Sequence, residues 1–313
     1  MKTVVAALFC LFLLRLEGFS QKDSTVLIDH KSITLSEVVI RSNINVASFI
    51  NKVKQDTSFY KAFRNLRVLN FTALNDIRML DKKSGTRASL NSRTQQKVWN
   101  GCRITTTIEE KSEGDIYDKS HHFNYYTAEL YASLMFAFDT VCGETNVVGN
   151  AEQKINSSSG IEKHKEQLKM LFFNPGKRIP GVPFIGNKVA IFDDEMAPLY
   201  DYFIDLETHQ GQECYVFRVQ SKKDLSSSQR NDIVIDQMTT WFSHDNFDIL
   251  GRSYSLSYHA GVYDFDVEME VELMKFGDWL VPTLIRYNGN WGLIFRRRER
   301  GVFTATLFDF KSE

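Results

Sequence analysis

Residues 263–273 read Tyr-Asp-Phe-Asp-Val-Glu-Met-Glu-Val-Glu-Leu, with six apolar residues alternating with five acids without exception. Successive side chains of a β-strand point to opposite faces, so this run has one wholly apolar face and one wholly acidic face. Five carboxylates on one face repel each other unless cations lie across from them. Arg286 and Arg296-Arg297-Arg298 in the neighbouring segments are the available partners, and cross-strand ion pairs would set the register. The apolar face must be covered by another layer.

The rest of the C-terminal third continues in the same style. Tyr202–Leu206, Cys214–Val219, Ile233–Phe242, Ile249–Tyr258, Trp279–Tyr287, Leu293–Arg298 and Val302–Phe310 read as further strands. His209-Gln210-Gly211-Gln212 reads as a turn between two of them, and Asn288-Gly289-Asn290 as a hairpin turn. Leu66 to Tyr117 is also β in character. Val68–Leu80 and Thr86–Leu90 flank the turn-rich Asp81–Gly85; Val98-Trp99 and Arg103–Ile108 follow, with a turn expected at Ser112-Glu113-Gly114. Strands at this spacing form an antiparallel meander, and no strand–helix alternation suggests a doubly wound sheet.

Helices interrupt the pattern in a few places. Val46, Phe49, Ile50 and Val53 share one helical face, and Asp56 or Thr57 caps a second short helix carrying Phe59, Tyr60 and Phe63. Tyr125–Phe138 is dense in apolar residues and reads as a buried helix or a cover for an apolar surface. Ile161–Phe172 is amphipathic, with Ile161, Leu168, Leu171 and Phe172 inward, and Asn174-Pro175-Gly176 ends it. The expected fold is mainly β with inserted helices (α+β), a curved antiparallel sheet or incomplete β-barrel capped by helices. So few helices cover one side of so many strands, not both. The domain division follows: signal peptide 1–20, N-terminal arm 21–44, and a single half-barrel-like domain 45–313 with helical insertions near 125–138 and 161–172.

The signal-peptide reading rests on Lys2, the apolar run Val4–Leu14 and small residues at Gly18 and Ser20 ahead of a cut before Gln21. That apolar run is too short to span a bilayer. Export to the periplasm or the periphery of the outer membrane is therefore expected. Beyond Cys10 in this segment, Cys102, Cys142 and Cys214 remain, enough for one disulfide at most; all three also suit the role of buried small hydrophobes. A net charge of −1 leaves no cation excess for nucleic acid, so no nucleic-acid partner is expected.

Catalytic motifs are missing: no Gly-x-Ser-x-Gly, His-Glu-x-x-His, P-loop or Gly-x-Gly-x-x-Gly occurs. The adjacent His121-His122 would point to opposite faces of a strand and chelate poorly. Asp193-Asp194-Glu195 is the acidic cluster on which a hydrolase reading would rest. The expectation is a non-enzymatic protein that needs no cofactor and no metal.

Met238-Thr239-Thr240-Trp241-Phe242 leads through a polar turn to Phe247-Asp248-Ile249-Leu250-Gly251-Arg252, and Gly277-Asp278-Trp279-Leu280-Val281-Pro282 introduces a later strand. Over Asp232–Phe310 this resembles the lipoprotein-carrier family of Gram-negative periplasms, which sorts outer-membrane lipoproteins. The whole chain resembles exported envelope proteins of the Bacteroidota type, through Asp56–Arg67, Phe173–Gly176 and Thr239–Phe242. The carrier resemblance implies a curved sheet around an apolar concavity that binds a lipid, an acyl group or a lipidated protein. Phe49, Phe59, Phe63, Trp241, Phe265, Val267, Met269 and Trp279 are the expected lining. The alternatives are an envelope scaffold or assembly factor contacting a periplasmic or outer-membrane protein, with residues 21–44 adding to its sheet, and the hydrolase.

Overall fold

The computed structural model describes residues 24–28, 31–35, 37–38, 46–148, 167, 169–182, 185–260, 263–293 and 297–313. Strands β1 (Ser24–Ile28) and β2 (Lys31–Leu35) pair antiparallel with each other. β3 (Glu37–Val38) precedes α1 (Val46–Gln55) and α2 (Ser58–Asn65), and then come β4 (Asn70–Leu80), β5 (Thr86–Trp99) and β6 (Cys102–Gly114). α3 (Tyr126–Met135) and β7 (Val141–Cys142) follow. The remainder is β8 (Tyr200–His209), β9 (Gln212–Ser221), α4 (Ser227–Arg230), β10 (Ile235–Ser243), β11 (Ile249–Ala260), β12 (Tyr263–Phe276), β13 (Trp279–Leu293) and β14 (Glu299–Lys311). The expected signal peptide, residues 161–166 of the expected amphipathic helix, and Arg296 lie outside the described residues; 169–173 are helical. No helix among the described residues is long and apolar enough to cross a membrane.

One sheet holds all strands except the β1–β2 pair, in the order β3-β8-β9-β10-β11-β12-β13-β14-β4-β5-β6-β7. The last strand of the chain, β14, pairs with the first long one, β4, so the meander continues across the chain ends. All neighbours are antiparallel except β3 and β8, which run parallel over two residues. The sheet is open, with β3 and β7 at its edges. This is the mainly β, incompletely closed architecture that the strand spacing implies.

The alternating run lies in β12. Phe265, Val267, Met269, Val271 and Leu273 are buried on the inner face. The acids face outward and find partners: Arg286 meets Glu270 at 2.7 Å, His259 reaches Asp264 at 2.8 Å and Asp266 at 3.1 Å, and Arg298 pairs with Asp264. Burial on one side and charge pairing on the other thus set a single register.

Two expected turns differ. β13 runs straight through Asn288-Gly289-Asn290, which pair with Glu268, Val267 and Asp266. Gly289 is there for packing. A Cβ on it would stand 1.8 Å from the Tyr287 hydroxyl, so the tyrosine ring lies over the glycine. Tyr287 in turn takes a hydrogen bond from the Trp291 indole. Of the expected strand Leu293–Arg298, residues 294–296 lie outside the described residues; Leu293 ends β13, and Arg297 and Arg298 precede β14. Ser112-Glu113-Gly114 extends β6, because it pairs with Leu90, Ser89 and Ala88, and only Gly114, with φ of +72°, leaves the strand.

α1 buries Phe49, Ile50 and Val53 on the expected face, with Lys52 and Lys54 in its last turn, where cations suit the helix dipole. At the start of α2 the Asp56 carboxylate accepts the Ser58 backbone N–H at 3.2 Å and its hydroxyl at 2.7 Å, while Thr57 makes no side-chain cap. α2 then buries Phe59, Tyr60, Ala62 and Phe63 against the inner face.

Candidate functional site

The inner face of the sheet is an apolar field built row by row from paired strands. One row runs Tyr254, Met269, Tyr287, Phe303, Ile77 and Leu90 across β11, β12, β13, β14, β4 and β5. All six are buried. Over it lies a second layer formed by α1, α2, α3 and the segments 169–182 and 185–199. Phe63 stacks on Phe173 with centroids 4.2 Å apart. Phe172 meets Tyr287 and Trp291 edge-on at 5.9 Å, and Tyr131 of α3 lies 5.6 Å from Phe303.

Polar bonds tie this cover to the sheet at several points: Glu299 of β14 accepts from the Tyr126 and Thr127 N–H groups at the start of α3, Thr105 of β6 and Ala137 bond each other, and Gln96 of β5 donates to the Leu66 and Leu69 carbonyls. Tyr202 donates to the Ile191 carbonyl at 2.6 Å, Asn65 to the Leu280 carbonyl at 2.8 Å, and Tyr254 to the Phe172 carbonyl. Burial pushes the Tyr202, Tyr254 and Tyr287 hydroxyls well above their ordinary range, so they stay protonated donors.

Six of the eight expected lining residues come together in this interior: Phe49, Phe59, Phe63, Phe265, Val267 and Met269 are each at most 7% exposed and belong to one core cluster. The two tryptophans are placed differently. Trp241 is half-buried between the core residues Thr240 and Phe242, so strand parity turns it to the outer face, where it stacks on His209 at 4.3 Å. Trp279, also half-buried, pairs with Phe276 at the tip of the β12–β13 hairpin.

Two cations break the apolar character of the inner layer. Arg252 of β11 is 6% exposed. Its Nε donates to Thr240 Oγ1 at 2.9 Å, and its guanidinium lies 4.3 Å over the ring of Phe59. Burial pulls its pKa down to about 10, against the opposing pull of Asp56 and Tyr254. Lys177 enters the same region from the Asn174-Pro175-Gly176 turn, where Gly176 has φ of +89° and a Cβ would press on Ile191. Its ammonium donates to the Lys54 carbonyl at the end of α1. Burial first, then the positive charge of Arg252, lower its pKa to about 8.

Residues singled out for other chemistry do not converge. Asp193 pairs with Arg178 at 2.8 Å, and Asp194 and Glu195 are exposed. His121 stacks on Tyr117 at 4.0 Å, while His122 turns to Asp118 at 3.6 Å. Among the described residues, no group of three or more His, Cys, Asp or Glu side chains could hold a metal ion. Cys102 and Cys142 form a disulfide across 40 residues that joins β6 to β7, instead of lying as buried small hydrophobes; Cys214 does fill that role.

Three surface grooves accompany the packed interior. One of about 470 Å³ crosses β10–β14, and its Ser253, Ser255, Glu268, Glu270, Arg286 and Asn288 alternate with buried neighbours, which puts it on the outer face. A second, about 540 Å³, lies along β4–β6 and β14. The third, about 460 Å³, lies at the far ends of β4, β5 and β14.

No protein-family model matches this chain, and a search of curated proteins finds no match. Among solved structures it is similar to a DUF1329 family protein from Desulfovibrio piger, at 11% identity and TM-score 0.26 over 82% of this chain and 94% of the other. It is also similar to an outer-membrane lipoprotein-sorting protein domain from Vibrio parahaemolyticus, at 8% identity and TM-score 0.28 over 80% and 89%. A LolA superfamily protein from Nitrosomonas europaea gives 12% identity and TM-score 0.26 over 82% and 92%. Likeness at that level carries no argument about what this chain does.

Proposed function

We propose that the protein is an exported, non-enzymatic envelope protein that binds a lipid or acyl group, free or attached to a protein, between its curved sheet and the helical cover. The observation that carries this reading is the construction of the interior. An apolar face spanning β8 to β5 is covered by short helices and irregular segments, and α1 and α2 meet it mainly through apolar side chains. A shift of α1 and α2 exchanges apolar contacts for those of an acyl chain and breaks the Asn65–Leu280 and Gln96–Leu66 hydrogen bonds. Phe49, Phe59, Phe63, Phe265, Val267 and Met269 are the proposed seat. The two tryptophans, Trp241 on the outer face and Trp279 at the hairpin tip, lie outside it.

The disulfide between Cys102 and Cys142 supports export, since such bonds persist in oxidising compartments. A scaffold that works by strand addition finds less support. The outer edge of β6 past Arg103 carries Glu109, Glu110, Lys111 and Glu113, charges that blunt pairing, and β3 docks on the chain's own β8. Native mass spectrometry of protein purified from its own envelope tests the proposal. A bound acyl species of defined mass is expected, together with saturable one-to-one uptake of a fluorescent fatty acid. A ligand-free spectrum with no uptake would remove it.

A further inference from the structure

Arg252 lies at the inward parity of β11, in a row that continues through Val271, Ile285 and Ala305. Its neighbours along the strand at the same parity, Tyr254, Leu256 and Tyr258, are all buried and uncharged. Among the described residues, the guanidinium makes one hydrogen bond, to Thr240, and no carboxylate lies within 4 Å of it. Lys177 beside it donates to one backbone carbonyl and likewise has no carboxylate within that distance. Asp56 attracts both cations, yet its carboxylate is engaged with Ser58 at the start of α2.

Arg252 is buried and Lys177 half-buried beside it, and cations withdrawn from water with no anion on them are costly; proteins normally pair such charges or replace them with apolar groups. We propose that Arg252 and Lys177 form an anion-binding site for the carboxylate or phosphate head of an amphiphilic ligand, whose chain lies along the apolar rows of the sheet. This deepens the acyl-binding reading and rests on it for the chain, though not for the head.

The geometry suits such a ligand in three respects. The two cations come from different layers, Arg252 from the sheet and Lys177 from the cover, so an anion between them would bind the layers together. Arginine presents a planar fork of donors that matches carboxylate and phosphate oxygens. From Arg252 to Ala305 the row crosses three strand spacings, roughly 14 Å, a span that suits a medium-length acyl chain. In this structure the ring of Phe59 lies against the guanidinium, so binding requires α2 to shift and give up that cation–π contact to the anion.

The test is calorimetric titration of the whole exported chain at pH 7 with dodecanoate, dodecyl phosphate, dodecanol and inorganic phosphate. The two anionic amphiphiles should bind about tenfold or more tightly than dodecanol. Arg252→Met and Lys177→Met should each bring that ratio towards one, and Arg252→Lys should keep most of it. Lys177→Met guards against misfolding of the Arg252 variant, because Lys177 lies outside the sheet. Equal binding of anions and dodecanol overturns the anion site and leaves the acyl reading standing. Inorganic phosphate binding that is lost in Arg252→Met, without uptake of any amphiphile, supports the anion site and overturns the acyl reading. No binding of any of the four overturns both.

Discussion

β12 and β6 belong to the same sheet and are held in it by different forces. β12 sits in the middle, paired on both sides over nearly its full length, and its inner face is sealed under the cover. β6 sits near the edge. Thr105 is its only buried residue, and from Thr106 to Gly114 both faces are exposed. Its long register with β5 is held by backbone pairing, and a disulfide anchors its start. The hydrophobic effect therefore specifies one half of this sheet, while hydrogen bonding and a covalent link specify the other.

The sharpest way to break that comparison is to delete matching apolar bulk in each half. Phe265→Ala should lower the unfolding free energy by about 3–5 kcal/mol, since a fully buried ring leaves a cavity. Ile108→Ala in β6, 54% exposed, should change it by no more than about 0.5 kcal/mol. Urea unfolding followed by tryptophan fluorescence reads both, and similar losses would mean the wing is buried against something.

Removing the disulfide is expected to have the next largest effect. The double variant Cys102→Ser, Cys142→Ser should lose about 2–4 kcal/mol. Hydrogen exchange should show the lost protection in β6 and β7, with the β12 amides unchanged beyond the global shift. Uniform loss across both strands would argue that the two halves are one cooperative unit.

The smallest expected effect concerns the inner-layer cations. Replacing Lys177 by Met should stabilise the unliganded protein at pH 7 by about 1 kcal/mol, because a half-buried ammonium with no carboxylate on it is removed. The sign with pH follows from its folded-state pKa of about 8, below the ordinary 10.5. Between those values the unfolded chain holds the proton and the folded chain does not. Stability from this group therefore rises with pH across roughly 8 to 10.5. Arg252, Asp56, Lys54 and Asp193 act on the same ammonium, and the Met variant should lose the rise in a pH series of thermal midpoints.

The alternation of β12 was fully legible, down to its outward ion pairs, because a strand's period is a property of the backbone. The same rule made Arg252 readable: Ser253, Ser255 and Ser257 alternate with Tyr254, Leu256 and Tyr258, which leaves the arginine at an inward position. Trp241 was misassigned to the interior by side-chain type, although Phe242 beside it already claimed that parity. Asn288-Gly289-Asn290 carried a genuine turn composition, but the glycine was needed to seat Tyr287, a requirement visible only once the ring's position is known. Lys177 had no signal beyond following a Pro-Gly turn.

What the chain determined on its own was local: where strands and helices form, which face of each is apolar, and that one side of a many-stranded sheet needs a cover. These follow from periodicity and turn chemistry, which act over a few residues. Only the tertiary structure decided that β14 joins β4, that Cys102 meets Cys142, and that half-buried Lys177 comes to the region of buried Arg252. Contacts of that kind bring together residues far apart in the chain, and their pairing depends on how whole layers pack.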